Sequence, residues 1–311
     1  MKILIGYDGS EYGDVILEDL GSAGLSSGIE ALILTVADVG EIPTSPFLAG
    51  RISNQIERIF GSSDEEIRDK LDKHVELGRA EAQKAAERFK ETFSGWTFAT
   101  ESVAGKPAEE LIKRADEWKP DLTIVGSHGR SALGRLFLGS VSHKVLHEAH
   151  CSVRISRRIK GKDDLTNRIL VAVDGSANAE AAVRKVADRK WSENTEIRLV
   201  AADDPFNRPE IGYMSWDHES EKPIENEDSK KWIEEVIHKP AKILRSADLQ
   251  VSNKIVWGDA ANSILQEAKE WNANSIFVGA RGIGQVRRFL LGSVSSRVAT
   301  HAKCSVEVVR D

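Results

Sequence analysis

The chain has 311 residues, 43 Lys and Arg against 49 Asp and Glu, a formal net charge of −6 and 41% apolar residues. A domain takes about 100–200 residues, so the length predicts two domains, and a mildly acidic chain lacks the basic footprint of a nucleic-acid or anionic-membrane binder. No apolar run approaches the roughly 18 residues of a membrane span, the N-terminus MKILIGYDGS lacks the apolar region and cleavage site of a signal peptide, and two cysteines are too few for a disulfide scaffold. These features predict a soluble, cytoplasmic protein with no nucleic-acid or membrane partner.

Taken in order, the elements occur twice. A short apolar strand (3–7; 169–173) ends in Asp-Gly-Ser and is followed by a helix (about 11–25; 177–190). A second strand (31–36; 196–201) leads through a polar stretch into a longer helix ending near Glu91 or Ser246. Pro240 should kink or break the second of these helices, because its ring removes a donor and clashes with the preceding turn. A third strand (98–103; 251–256), a helix (108–117; 261–271) and a fourth strand (122–125; 275–278) come next. A glycine-rich loop, a helix starting at Ser140 or Ser293 and a strand starting at Ser152 or Ser305 complete each copy. Alternating strands and helices predict a parallel sheet with helices on both faces.

The internal repeat is exact enough to number. Gly279 lies 153 residues after Gly126, and the same offset joins Val103 to Val256, Gly105 to Gly258 and Cys151 to Cys304. Upstream, Asp174 lies 166 residues after Asp8, so the first copy holds 13 more residues in its first half. The predicted units are 1–158 and 168–311, joined by the polar segment 159–167.

Each copy carries G-x2-G-x9-G-S: Gly126, Gly129, Gly139 and Ser140, then Gly279, Gly282, Gly292 and Ser293. Glycines permit positive φ and let main-chain amides approach a ligand closely. The loop ends at a helix start, where free amides and the helix dipole favour an anion. Neither copy has the lysine of a Walker A loop, and neither has G-x-G-x-x-G after the first strand. The loops differ at His128/Arg281, Arg130/Ile283 and Leu136/Phe289, while Arg135 aligns with Arg288; the arginines read as phosphate partners or as solvated surface residues.

A first strand ending in Asp and a G-x2-G-x9-G-S loop near the end of each copy resemble the universal stress protein family, over nearly the whole chain. The resemblance implies two repeated open-sheet α/β domains. Each would be a five-stranded, mostly parallel sheet with helices on both faces, of the adenine nucleotide α-hydrolase-like type. It implies ATP or AMP, with Mg2+ as an accompanying ion, as the ligand of the family's ATP-binding branch. Carried over by position, Asp8 sits beside the ribose, the backbone of Val36 faces adenine, Gly126 and Gly129 follow the ribose and phosphates, and Gly139, Ser140 and Val141 hold the phosphates. The second set is Asp174, Ala201 (aligned with Val36), Gly279, Gly282, Gly292, Ser293 and Val294. The resemblance further implies that the final strands, CSVRIS and CSVEVV, pair antiparallel so that the two domains form an intramolecular pseudo-dimer, with a homodimer or an unidentified protein as further partners.

Other constellations are weaker. His143, His147 and His150 have helical spacing, but Ser296, Thr300 and Lys303 replace them in the second copy, so a metal site is not expected; Val141, Val145 and Ala149 read as the buried stripe. Cys151 and Cys304 read as small, buried, reduced thiols. No nucleophile–base pair is visible and no loop lysine is present for phosphoryl transfer, so the expectation is a regulatory binder, at most a slow ATPase. The alternative is a nucleotide-free interaction module whose surface is formed by the variable stretches 40–63 and 203–229. An adenylating enzyme would carry an S-G-G-x-D-S type loop, where this chain has YDGS and VDGS.

Overall fold

The structure is a computed structural model and describes residues 1–38, 64–129, 138–158, 166–203, 216–217, 222–223, 232, 234–282 and 291–310. The variable stretches lie almost wholly outside these residues, as do Arg130, Arg135, Leu136, Ile283, Arg288 and Phe289.

The first repeat contains β1 (Lys2–Gly6), α1 (Glu11–Gly21), β2 (Glu30–Asp38), α2 (Asp64–Thr92), β3 (Thr97–Gly105), α3 (Pro107–Trp118), β4 (Leu122–Gly126), α4 (Ser140–Glu148) and β5 (Ser152–Ser156). The second contains β6 (Asn167–Val173), α5 (Ala177–Ala187), β7 (Thr195–Asp203), a two-residue hairpin of β8 (Trp216–Asp217) and β9 (Lys222–Pro223), α6 (Lys239–Arg245), β10 (Gln250–Trp257), α7 (Ala260–Glu270), β11 (Ser275–Gly279), α8 (Ser293–His301) and β12 (Ser305–Val309). Asn167, assigned above to the join, is instead the first residue of β6. Its side-chain amide donates to Ser22 O of the first repeat.

Ten strands form one sheet in the order β10-β7-β6-β11-β12-β5-β4-β1-β2-β3. Within this sheet every pairing inside a repeat is parallel, while the small β8–β9 hairpin, outside it, is antiparallel. The two repeats meet where β5 and β12 pair antiparallel, with Val153 opposite Val308, Arg154 opposite Glu307 and Ile155 opposite Val306. The expected pairing of the final strands is therefore present within the chain.

The central strands are apolar on both faces because helices cover both. Along β1, Ile3 and Ile5 enter one core while Leu4 enters the other, the period-2 alternation of a strand. One core runs beneath α3, α4, α7 and α8 and is continuous across the seam, from Leu4 and Ile155 to Val306 and Leu170. The opposite face holds two separate cores, one beneath α1 and α2 and one beneath α5 and α6.

Local sequence explains several helix ends. α3 opens with Pro107 and closes on Lys119, whose left-handed backbone (φ 53°) returns its N–H to Ala115 O. α5 and α7 are capped by Ser176 and Asp259, which accept from Ala179 N and Asn262 N. Before Pro240, a π-helical turn spans Glu234–His238, and α6 follows with Pro240 in its first turn. The missing proline N–H interrupts the bond ladder there, in contrast to the 29 residues of α2. Among the described residues no helix is long and apolar enough to cross a membrane.

Two arginines tie the repeats reciprocally. Arg157, just past β5, donates to Ala299 O and Cys304 O at the end of α8. Arg310, 153 residues later, donates to Leu146 O and Cys151 O at the end of α4. Each cation satisfies one open carbonyl at the negative end of the other repeat's last helix and one in the turn that follows it. Burial pushes the Arg157 guanidinium down to about 10.

Candidate functional site

The strands of each repeat run parallel, so Asp8, Val36 and the first glycine loop gather at one rim of the sheet. The antiparallel seam sends Asp174 and the second loop to the opposite rim. Open α/β sheets bind ligands at such carboxyl ends.

Each rim is assembled by the same contacts. Asp8 Oδ1 accepts from Ser10 N (3.0 Å) and Asp174 Oδ1 accepts from Ser176 N (2.9 Å), closing a side-chain turn. The intervening glycines, Gly9 (φ 71°) and Gly175 (φ 85°), take the left-handed backbone the turn needs. The other carboxylate oxygen faces the loop: a Cβ on Gly129 would lie 3.1 Å from Asp8 Oδ2, and one on Gly282 would lie 2.5 Å from Asp174 Oδ2. Backbone bonds from Gly139 N to Ser127 O and from Gly292 N to Ala280 O, both 2.8 Å, bring the two ends of each loop together. Ser142 and Ser295 donate to Gly126 O and Gly279 O at 2.6 Å, bolting the following helix to the end of the preceding strand. Neither serine belongs to the glycine pattern itself. Their identical place in G-S-V-S was the available signal.

The loop glycines work differently from the expectation of positive φ. Gly139 (φ −61°) and Gly292 (φ −66°) are extended N-caps without a side-chain hydrogen bond. Their glycine identity keeps the approach clear: a Cβ on Gly279 would lie 2.6 Å from Asn178 C, and one on Gly292 would lie 3.2 Å from Ala280 O. Ser140 and Ser293 are exposed at the first helical position, with Val141 and Val294 half-buried behind them. First-turn amides at such a start have no intrahelical acceptor.

One alignment needs correction. Val36 pairs with Val103 in the β2–β3 register, while Ala202, not Ala201, pairs with Val256 in the β7–β10 register. Ala201 matches Thr35 and is buried in the core beneath α5 and α6, so Ala202 is the residue in the place of Val36.

This paired architecture agrees with the sequence profile of the universal stress protein family, which matches residues 1–157 and 166–310. The chain belongs to the universal stress protein family. A universal stress protein of Mycolicibacterium smegmatis is 31% identical over 223 residues, covering 70% of each chain. One from Mycobacterium tuberculosis is 28% identical over 216 residues, covering 68% of each. A crystal structure of a universal stress protein from Archaeoglobus fulgidus superposes with a TM-score of 0.60 at 22% identity, over 99% of this chain and 96% of that one, and shares the fold.

The two universal stress protein repeats are not equal. In the first, Ser10 Oγ donates to Asp8 Oδ1 at 2.6 Å. In the second, Ser176 Oγ instead donates to Arg281 O at 3.1 Å while accepting from Ala179 N, so the start of α5 is tied to the glycine loop. Asn178, beside Gly279, keeps a buried Oδ1 with no hydrogen-bond partner among the described residues. His128, in the place of Arg281, has Nδ1 3.0 Å from Ser127 Oγ.

The histidines and cysteines take other places. His143 and His147 stack with centroids 4.3 Å apart, and His150 Nδ1 lies 2.8 Å from Asp116 Oδ1. The buried stripe of α4 is Ser142, Val145 and Leu146; Val141, expected in it, is only half-buried, because the helix turns its Ser142 side to Gly126. Both cysteines are free, and Cys151 Sγ lies 3.1 Å from Thr123 Oγ1. A cavity of about 270 Å³ lies beside Cys151 and Arg310 at the seam.

Proposed function

We propose that this tandem universal stress protein binds an adenine nucleotide, ATP or AMP, at each rim, and that occupancy regulates its interactions. The observation that carries the reading is the duplicated juxtaposition of a first-strand aspartate, a side-chain-free glycine loop and an uncapped helix start. The fit is chemical. Gly139 and Gly292 leave first-turn amides open to an anion, which the helix dipole also favours. Asp8 Oδ2 and Asp174 Oδ2 face the loops as acceptors for ribose hydroxyls, and Asn178 Oδ1, partnerless among the described residues, adds an acceptor in the second repeat. Mg2+ would arrive with the phosphates, since that ion relies on phosphate and water oxygens with few protein carboxylates. Neither loop offers a lysine to stabilise phosphoryl transfer, which favours a regulatory ligand over a substrate.

Acid extraction of the purified chain followed by anion-exchange chromatography tests the reading. The expected result is adenine nucleotide approaching two per chain. Gly139→Val and Gly292→Val should each remove about half of it, because the added side chain presses on the backbone at the loop's start, Ser127–His128 or Ala280–Arg281, and displaces the adjoining first-turn amides. A chain without extractable nucleotide, and without a thermal shift in millimolar ATP or AMP, would be the interaction module alone.

A further inference from the structure

Glu307 lies directly opposite Arg154 where β12 and β5 pair. The two occupy the same place in the repeat, 153 residues apart, so the local pseudo-twofold axis passes between them. At a true twofold axis a residue faces its own copy. Two identical repeats joined through this edge would set Arg against Arg or Glu against Glu.

The surroundings have diverged in step. Arg154 donates to both carboxylate oxygens of Asp19, at 2.8 and 2.6 Å, and reaches Glu307 Oε2 at 3.3 Å. Glu307 also pairs with Arg189, which donates to Ala23 O at 2.7 Å. Asp19 corresponds to Lys185, and Arg189 corresponds to Ala23. Each repeat thus brings its own counter-charge, Asp19 for Arg154 and Arg189 for Glu307. Side-chain exposures are 0% for Arg154, 1% for Asp19 and Glu307, and 6% for Arg189, so water cannot screen a mismatch. Both guanidiniums lie over the Phe277 ring, with centroid distances of 5.9 and 4.8 Å.

Buried ion pairs commonly do no better for stability than apolar residues of the same size. Opposing like charges in a dry interface, by contrast, strongly disfavour the wrong pairing. We propose that the Arg154/Glu307 exchange encodes partner choice at the sheet edge: a first-repeat edge accepts a second-repeat edge and rejects another first-repeat edge. Duplication permits this device, which an exactly symmetric dimer cannot carry.

In the intact chain one substitution sets like charges face to face at the seam. Glu307→Arg sets Arg opposite Arg154, and Arg154→Glu sets Glu opposite Glu307. Hydrogen exchange is read at β5 and β12, with β1 and β6 as internal references. Each reversal should cut seam protection by about 100-fold or more while leaving the references intact. The apolar pair Arg154→Met with Glu307→Met should hold the seam within about 10-fold of the starting protein. Because Glu307→Arg also deprives Arg189 of its partner, it is repeated on Arg154→Met. Removing the opposing Arg should recover about 10-fold or more of the loss. If a reversed chain does not reach the folded state, refolding yield of Glu307→Arg with and without Arg154→Met gives the same comparison. Retained seam protection in the reversals, or an equal penalty in both backgrounds, overturns the proposal.

Discussion

Asp174 approaches Gly282 more closely than Asp8 approaches Gly129. A methyl on Gly282 would lie 2.5 Å from Asp174 Oδ2, whereas the same methyl on Gly129 would lie 3.1 Å from Asp8 Oδ2. Gly282→Ala should therefore displace its carboxylate further than Gly129→Ala does. Isothermal titration with ATP is expected to show the second-repeat site weakened by about 10-fold or more in Gly282→Ala, a loss of one well-formed hydrogen bond, with the first site unchanged. Equal effects of the two substitutions would count against the carboxylates touching the ligand. Gly24, with φ 67° and a virtual Cβ 2.6 Å from the Trp191 ring, is a structural counterpart. Gly24→Ala should cost about 1–3 kcal/mol in chemical denaturation, through left-handed backbone and the displaced ring. Among the thiols, burial pushes Cys304 up to about 12. Ellman's reagent at about pH 8 should leave Cys304 unmodified in the folded chain and titrate both thiols after unfolding.

At the scale of elements, α4 and α8 meet across the seam through His147, whose Nε2 lies 3.2 Å from Ser296 Oγ. Burial, then His143 and Arg310, hold the His147 imidazole below its ordinary 6.5, against the opposing pull of Glu148. The unfolded chain then takes up this proton before the folded one does. His147 contributes stability at pH above its ordinary value that is lost as pH falls below 6.5. The melting temperature of the parent chain should drop more steeply from about pH 7 to pH 5 than that of His147→Gln, with the two curves parallel above that range. Parallel curves throughout would mean the imidazole titrates as in the unfolded chain. The arginine clamps act on the same pair of helices. Arg157→Met should lower stability by about 1–3 kcal/mol, because it leaves carbonyls at the end of α8 without their donor.

For the whole molecule, the core beneath α3, α4, α7 and α8 continues across the β5–β12 seam, and the clamps and the buried charges span it too. Calorimetry is expected to give one cooperative transition; two resolved transitions would show the repeats to be thermally independent. The duplication, the element order, the Asp-Gly-Ser turns and the loop glycines were all legible in the sequence, because each depends on residue types close together in the chain. The antiparallel pairing of the final strands followed from the family resemblance. The counterpart of Val36 is Ala202 rather than Ala201: the 166-residue offset from Asp8 to Asp174 already points there, and the register with Val256 fixes it. In α4 and its C-cap, Val145 and Ala149 are buried as their spacing indicates and Val141 packs half-buried against the same core, while the bond from Ser142 to Gly126 fixes the rotation that also buries Ser142 and Leu146.

By itself the sequence determined the two-repeat α/β architecture and where phosphate-like chemistry could reside, through apolar periodicity and turn residues that act over a few positions. Only the tertiary structure decided why the glycines are needed, which is close approach to Asp174, Asn178 and Ala280 as well as turn geometry. It also decided that Asp19, Arg154, Arg189 and Glu307 form one buried cluster. Asp19 and Arg154 are 135 residues apart, and Arg154 and Glu307 are 153 apart. No local pattern records such pairs. They exist because two strand edges meet in a single register, and that register depends on the packing of the whole chain.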